Sequence, residues 1–168
     1  VHPQMGDVIR LEASSMQYNY FGDHHLSVSP FEVANVQGFT PERAVEALRT
    51  RLPATYHGAA EIMPLFDEFV EAYRNDEGQL EFPEGVTVHN LLEKATRELM
   101  TSKGLDVSGL SDEQMTYHYG WLLFPNFFFS VRVGEGTLIV PVPHPDGDPN
   151  KCVWTVIRLA WLPPEQRE

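Results

Sequence analysis

The chain has 168 residues, the length of one domain, and 42% hydrophobic against 21% charged residues is a globular rather than a disordered balance. Acidic side chains outnumber basic ones 24 to 12, and a net charge of -12 argues against holding nucleic acid or an anionic membrane through broad electrostatics. The single cysteine, Cys152, excludes an internal disulfide framework, and also an iron–sulfur cluster built from this chain alone. It fits a reducing cytosol. No apolar stretch nears the roughly 20 residues of a membrane helix, so a soluble, cytoplasmic protein is expected. Val1 opens the sequence without a methionine or a signal-peptide pattern, which leads to the expectation of a piece of a longer protein.

Residues 7–36 are rich in aromatic and apolar side chains without helical spacing, punctuated by Gly22 and Pro30, and read as strands and loops. At Thr40-Pro41 the pattern changes to an N-cap followed by a first-turn proline. PERAVEALRTRL then places Ala44, Val45 and Leu48 on one helical face. A second helix is predicted over AAEIMPLFDEFVEAYR, with Ile62, Leu65, Phe66, Phe69 and Tyr73 as its stripe and Pro64 near its start. A third, VHNLLEKATRELMTSKG, carries Val88, Leu91, Leu92, Ala95 and Leu99 and stops at Gly104, a left-handed cap. Ser111-Asp112-Glu113-Gln114 reads as a capping box opening a short helical turn.

From Tyr117 the chain turns to sheet. Tyr117–Phe124, Phe127–Val133, Thr137–Val142 and Val153–Trp161 are short runs separated by Pro-Asn, Gly-Glu-Gly and Pro-Asp-Gly-Asp-Pro, an antiparallel meander. In the second run Phe127, Phe129, Val131 and Val133 share one face, and Phe128, Ser130 and Arg132 the other. The result is an α+β domain whose sheet has one strongly apolar face that something must cover. Pro163-Pro164-Glu165 looks like the start of a further helix that lies beyond this sequence.

Few residues announce chemistry. Asp23-His24-His25 has the composition of a metal site, yet neighbouring strand residues point to opposite faces, so both rings reach one ion only if the backbone turns there. His57 has no second histidine one helical turn later. His118, between Tyr117 and Tyr119, reads as a hydrogen-bonded strand residue, and His144, in PHPDGDPNK, as part of a loop-shaping cluster. Ser130 lies mid-strand with no nucleophile elbow, and Cys152 reads as packing. GEGT joins two strands, so it is not a phosphate loop. His2, next to Pro3, reads on its own as a frayed terminal histidine.

Three segments in order resemble the catalytic domain of the α subunit of Rieske-type non-haem iron ring-hydroxylating oxygenases: VHPQ at the start, LSDEQMTYHYGWLLFPN over 110–126, and VPHPDGDPNKCVWTVIRLAWLPPEQ over 142–166. The resemblance implies a helix-grip (START/Bet v 1-like) fold, incomplete at both ends. Residues 1–39 would be strands and loops, 40–104 a helical insert, and 105–168 an antiparallel meander leading into a missing C-terminal helix. It implies that His2 is a metal ligand, the second of two histidines that hold Fe(II) with an aspartate. The other two ligands fall outside this sequence, and neither Asp148 nor Glu165 matches the family's aspartate. A [2Fe-2S] Rieske cluster in a domain missing here would deliver electrons, with O2 as co-substrate.

The implied activity is O2-dependent hydroxylation or oxidative demethylation of an aromatic or other apolar compound, with this fragment inactive alone. The implied partners are a reductase or ferredoxin and further subunits, as a homotrimer or α3β3. Gly120, Leu122, Phe127, Phe129 and Val131 are the expected substrate pocket. Two rivals stand beside it: a metal-free helix-grip module binding an apolar ligand, and a structural oligomerisation domain like the non-catalytic partner subunits.

Overall fold

The computed structural model describes residues 17–29, 40–56 and 58–162. Within them the order is β1 (Gln17–Phe21), β2 (His24–Ser29), α1 (Pro41–Thr55), α2 (Ala59–Glu71), α3 (Val88–Ser102), a short 3-10 turn (Glu113–Met115), then β3 (His118–Leu123), β4 (Phe127–Arg132), β5 (Glu135–Pro143) and β6 (Cys152–Ala160). The strands form one six-stranded antiparallel sheet in the order β1-β2-β3-β4-β5-β6. The fold is therefore of the α+β class. His2, Pro30, His57 and Pro163-Pro164-Glu165 lie outside the described residues.

Local chemistry sets the helix ends. The Thr40 hydroxyl accepts the Arg43 N–H at 3.4 Å, with Pro41 in the first turn, and Thr87 accepts Asn90 N–H at 3.1 Å at the start of α3. The capping box before the 3-10 turn is reciprocal. Gln114 N–H donates to Ser111 Oγ at 3.3 Å, and Ser111 N–H donates to Gln114 Oε1 at 2.8 Å. Gly104 ends α3 with φ +75°, and Leu105 N–H reaches back to Met100 O at 3.0 Å, closing the last turn. Helix α1 runs past the predicted end at Leu52, through Pro53, because Tyr56 N–H still finds Leu52 O at 2.8 Å.

The buried core belongs to the helices. Val45, Leu48 and Leu52 of α1, Ile62, Phe66 and Val70 of α2, and Leu92 and Ala95 of α3 are all almost wholly buried, closed off by Leu80 and Met115 from the connections. These stripes have the 3.6-residue period of amphipathic helices. Among the described side chains the sheet contributes no large one to this core; its buried members there are Gly120 and Gly136.

Among the described residues the helical layer meets the sheet at the β4–β5 turn. The Tyr56 hydroxyl donates to Val133 O at 3.0 Å, the Arg132 guanidinium lies 5.6 Å from the Tyr56 ring, and the turn at Gly134 rests on Met100. That turn corrects the expected boundary. Arg132 pairs with Glu135, so Val133-Gly134 alone makes the turn, with Gly134 at φ +80°, and Gly136 belongs to β5.

Candidate apolar binding face

Register decides which residues share a face, because directly paired residues of an antiparallel ladder project the same way. Leu26, Trp121, Phe129, Leu138 and Ile157 are paired in sequence across β2 to β6, and Val28, Tyr119, Val131, Gly136 and Leu159 form the next row. Phe21 extends this surface at the β1 edge, stacked on Trp121 with ring centroids 6.4 Å apart. This apolar face crosses the sheet, and the helical layer leaves it open. Apart from the buried Gly136 its members are half-buried to exposed, with Ile157 and Leu159 nearly half exposed at the β6 edge.

At the end of this face nearest the helices is a cavity of about 260 Å³ between Phe129, Val131, Gly136, Leu159 and Trp161. Gly136 is what makes room for it. A Cβ there would stand 3.1 Å from the edge of the Phe129 ring, so the bare backbone lets that ring lie across the neighbouring strand. Gly136 belongs to β5 and not to the expected Gly-Glu-Gly turn; its alternation with Leu138 and Val140 is the signal for the strand.

The five expected pocket residues divide. Phe127, Phe129 and Val131 lie on the apolar face, and Phe129 and Val131 line the cavity. Gly120 and Leu122 pair with Ser130 and Phe128, so they lie on the face opposite the other three. The strand period explains the split: β3 and β4 pair so that the even residues of both project together. Gly120 is moreover buried beneath Ser27, whose hydroxyl donates to Gly120 O at 3.3 Å.

That opposite face carries the histidine seam. His118 Nε2 is 2.5 Å from Ser130 Oγ, the hydrogen-bonded strand role expected of it. Burial, with Arg132 as the second cause, lowers its pKa to about 4. Such a ring is a weak base at neutral pH, and the Ser130–His118 pair has no activated nucleophile. His24 and His25 project to opposite faces, as their adjacency required. His24 Nδ1 accepts Phe124 N–H at 3.0 Å, and His25 lies against Tyr20. On its other side the Phe-Pro-Asn turn is tied by Asn126 Nδ2 donating to Pro141 O at 2.7 Å.

His144 shapes its loop as expected. Its Nδ1 accepts Asp146 N–H at 3.3 Å, Asp148 N–H and Asn150 N–H continue the chain of turns, and Lys151 Nζ sits 3.1 and 3.2 Å from Asp146 and Asp148. Backbone and lysine donors hold both aspartates below the usual carboxylate range. Cys152 departs from its expected packing role. It begins the edge strand β6, is exposed, and accepts the Trp154 indole N–H at 2.9 Å.

One buried polar group had no place in the sequence reading. Glu93 of α3 is 3% exposed; Asn90 Nδ2 donates to its Oε2 at 3.1 Å, and His89 Nε2 lies 3.0 Å from its Oε1. His89 Nε2 also meets Thr116 Oγ1 at 3.3 Å. The approach to Oε1 is off the line of a hydrogen bond, leaving it and His89 Nδ1 without such a partner. The four-residue spacing within VHNLLEK was the available signal.

Among the described residues no group of three His, Cys, Asp or Glu side chains is placed to hold a metal ion, and His2 lies outside them. Nor is any described helix long and apolar enough to cross a membrane. The chain so defined is an α+β protein with an open antiparallel sheet, a separate helical core and an apolar face. No protein-family model, curated protein or solved structure matches it.

Proposed function

We propose that the chain is the catalytic-domain portion of a Rieske-type non-haem iron oxygenase α subunit, acting on an aromatic or other apolar compound. The observation carrying this reading is the meander whose paired rows, Leu26-Trp121-Phe129-Leu138-Ile157 and its neighbour, form one apolar face open to an occupant. In a helix-grip domain a long helix following the last strand grips such a face, with the substrate between. Phe127, Phe129 and Val131 then bind the apolar body of the substrate and exclude water from it. His2 is the iron ligand offered by this chain, its two companions coming from segments outside residues 1–168. When bound, the ferrous centre supplies activation of dioxygen with electrons from the Rieske cluster. Gly120 and Leu122 have no substrate role in this arrangement.

The reading is tested in the full-length protein, purified without oxygen, by iron content and substrate-dependent oxygen uptake. His2→Ala is expected to lose both the mononuclear iron and turnover while keeping its acid-labile sulfide. Retained iron with normal turnover would refute the reading. An iron-free wild-type protein that binds apolar compounds would favour the helix-grip carrier instead.

A further inference from the structure

The row Val28, Tyr119, Val131, Gly136, Leu159 carries a side chain at each position but one. Gly136 stands between Val131 and Leu159 and interrupts the apolar face. Its backbone does not call for glycine: Gly134, two residues earlier, needs a positive φ, and Gly136 has none. Glycine inside a strand weakens it, and here the return is space. The Phe129 ring leans across the gap, so that a Cβ on Gly136 would stand 3.1 Å from its Cε2 and 3.5 Å from its Cζ. What the ring leaves unfilled is the cavity of about 260 Å³, walled by Phe129, Val131, Leu159 and Trp161.

Charge and size define the occupant. Arg132 and Glu135 are direct cross-strand partners, out of step with Val131 and Gly136, so both project to the other side of the sheet. They also act in opposite senses on the Tyr56 hydroxyl, which Glu135 keeps protonated and Arg132 does not. Neither gives the cavity a net charge, and an ion set among its apolar walls would lose water without gaining a partner. For size, an apolar cavity of about 150 Å³ takes up benzene. On that scale about 260 Å³ suits two fused rings.

We infer that Gly136 is a specificity-determining residue. It opens the apolar face to an uncharged, flat compound of about two fused rings, and any side chain in its place restricts the cavity to smaller ones. The inference rests on the oxygenase reading, which makes the occupant of this face the substrate.

The test measures binding rather than turnover, in the full-length protein kept free of oxygen. Naphthalene and toluene are each partitioned between protein solution and headspace and quantified by gas chromatography. Wild type is expected to bind both saturably. Gly136→Val should lower the ratio of naphthalene to toluene affinity by at least about tenfold. The ratio is taken within one protein, so a partly unfolded sample does not change it. An unchanged ratio in folded Gly136→Val overturns the inference. So does the absence of binding of both compounds by wild type, the outcome if an apolar side chain of the protein's own following helix fills the cavity. Should circular dichroism show that Gly136→Val does not fold, Leu159→Trp decides, because it narrows the cavity from the β6 edge: a lowered ratio supports the inference, and an unchanged one refutes it. Failure of the oxygenase reading shows elsewhere, as iron and turnover retained by His2→Ala, and leaves these ratios untouched.

Discussion

Acidification should loosen the join between β3 and β4 through His118. The ring is buried against Ser130 beside Arg132, and its pKa falls from the ordinary 6.5 to about 4. Because the folded value lies below the unfolded one, the unfolded chain binds the extra proton. The stabilising difference is complete above about pH 6.5 and is lost as pH falls towards 4. At about 1.4 kcal/mol per pH unit the interval sets a ceiling of about 3 kcal/mol, and water around the partly exposed ring lowers the expected effect to about 1–2 kcal/mol. Urea unfolding measured between about pH 7.5 and 4.5, for wild type and for His118→Asn, isolates it. The two proteins differ only at His118, so the difference in slope belongs to it. An NMR titration midpoint for the His118 ring near 6.5, or identical pH dependence in the two proteins, would refute the argument.

Two further outcomes follow from the same joint between helices and sheet. Gly134→Ala must place a side chain at φ +80° and against Met100, and should destabilise by about 1–3 kcal/mol in thermal or urea unfolding; in a Met100→Ala background only the backbone part, about 1–2 kcal/mol, should remain. Tyr56→Phe leaves Val133 O without its donor and should cost about 1 kcal/mol, read by equilibrium unfolding, with amide exchange at the β4–β5 turn accelerated more than in the α2–α3 core.

Sequence alone settled the local order of this protein. Thr40-Pro41, Gly104 and the Ser111–Gln114 box mark their helix ends because capping is chemistry between residues a few positions apart. The stripes Val45-Leu48 and Ile62-Phe66 mark the buried sides of α1 and α2, because a helix presents every third or fourth residue to one side. The alternation in FFFSVR likewise assigned Phe127, Phe129 and Val131 to one face of β4.

Tertiary structure decided the rest. Gly120 and Leu122 precede the Phe-Pro-Asn turn by a few residues, but whether they share a face with Phe129 depends on strand register, which the turn between them sets. The two-residue turn at Val133-Gly134 moved Gly136 into a strand and under the Phe129 ring. Glu93 is buried beside His89 and Asn90 of its own helix, with Thr116 of the connection to β3 meeting the same His89 ring, a closure that brings together segments far apart in sequence. The apolar face was legible from its composition; that the helices would build a core of their own and leave it open was not. A hydrophobic pattern states that a surface must be covered, and only the packing of distant segments determines what covers it.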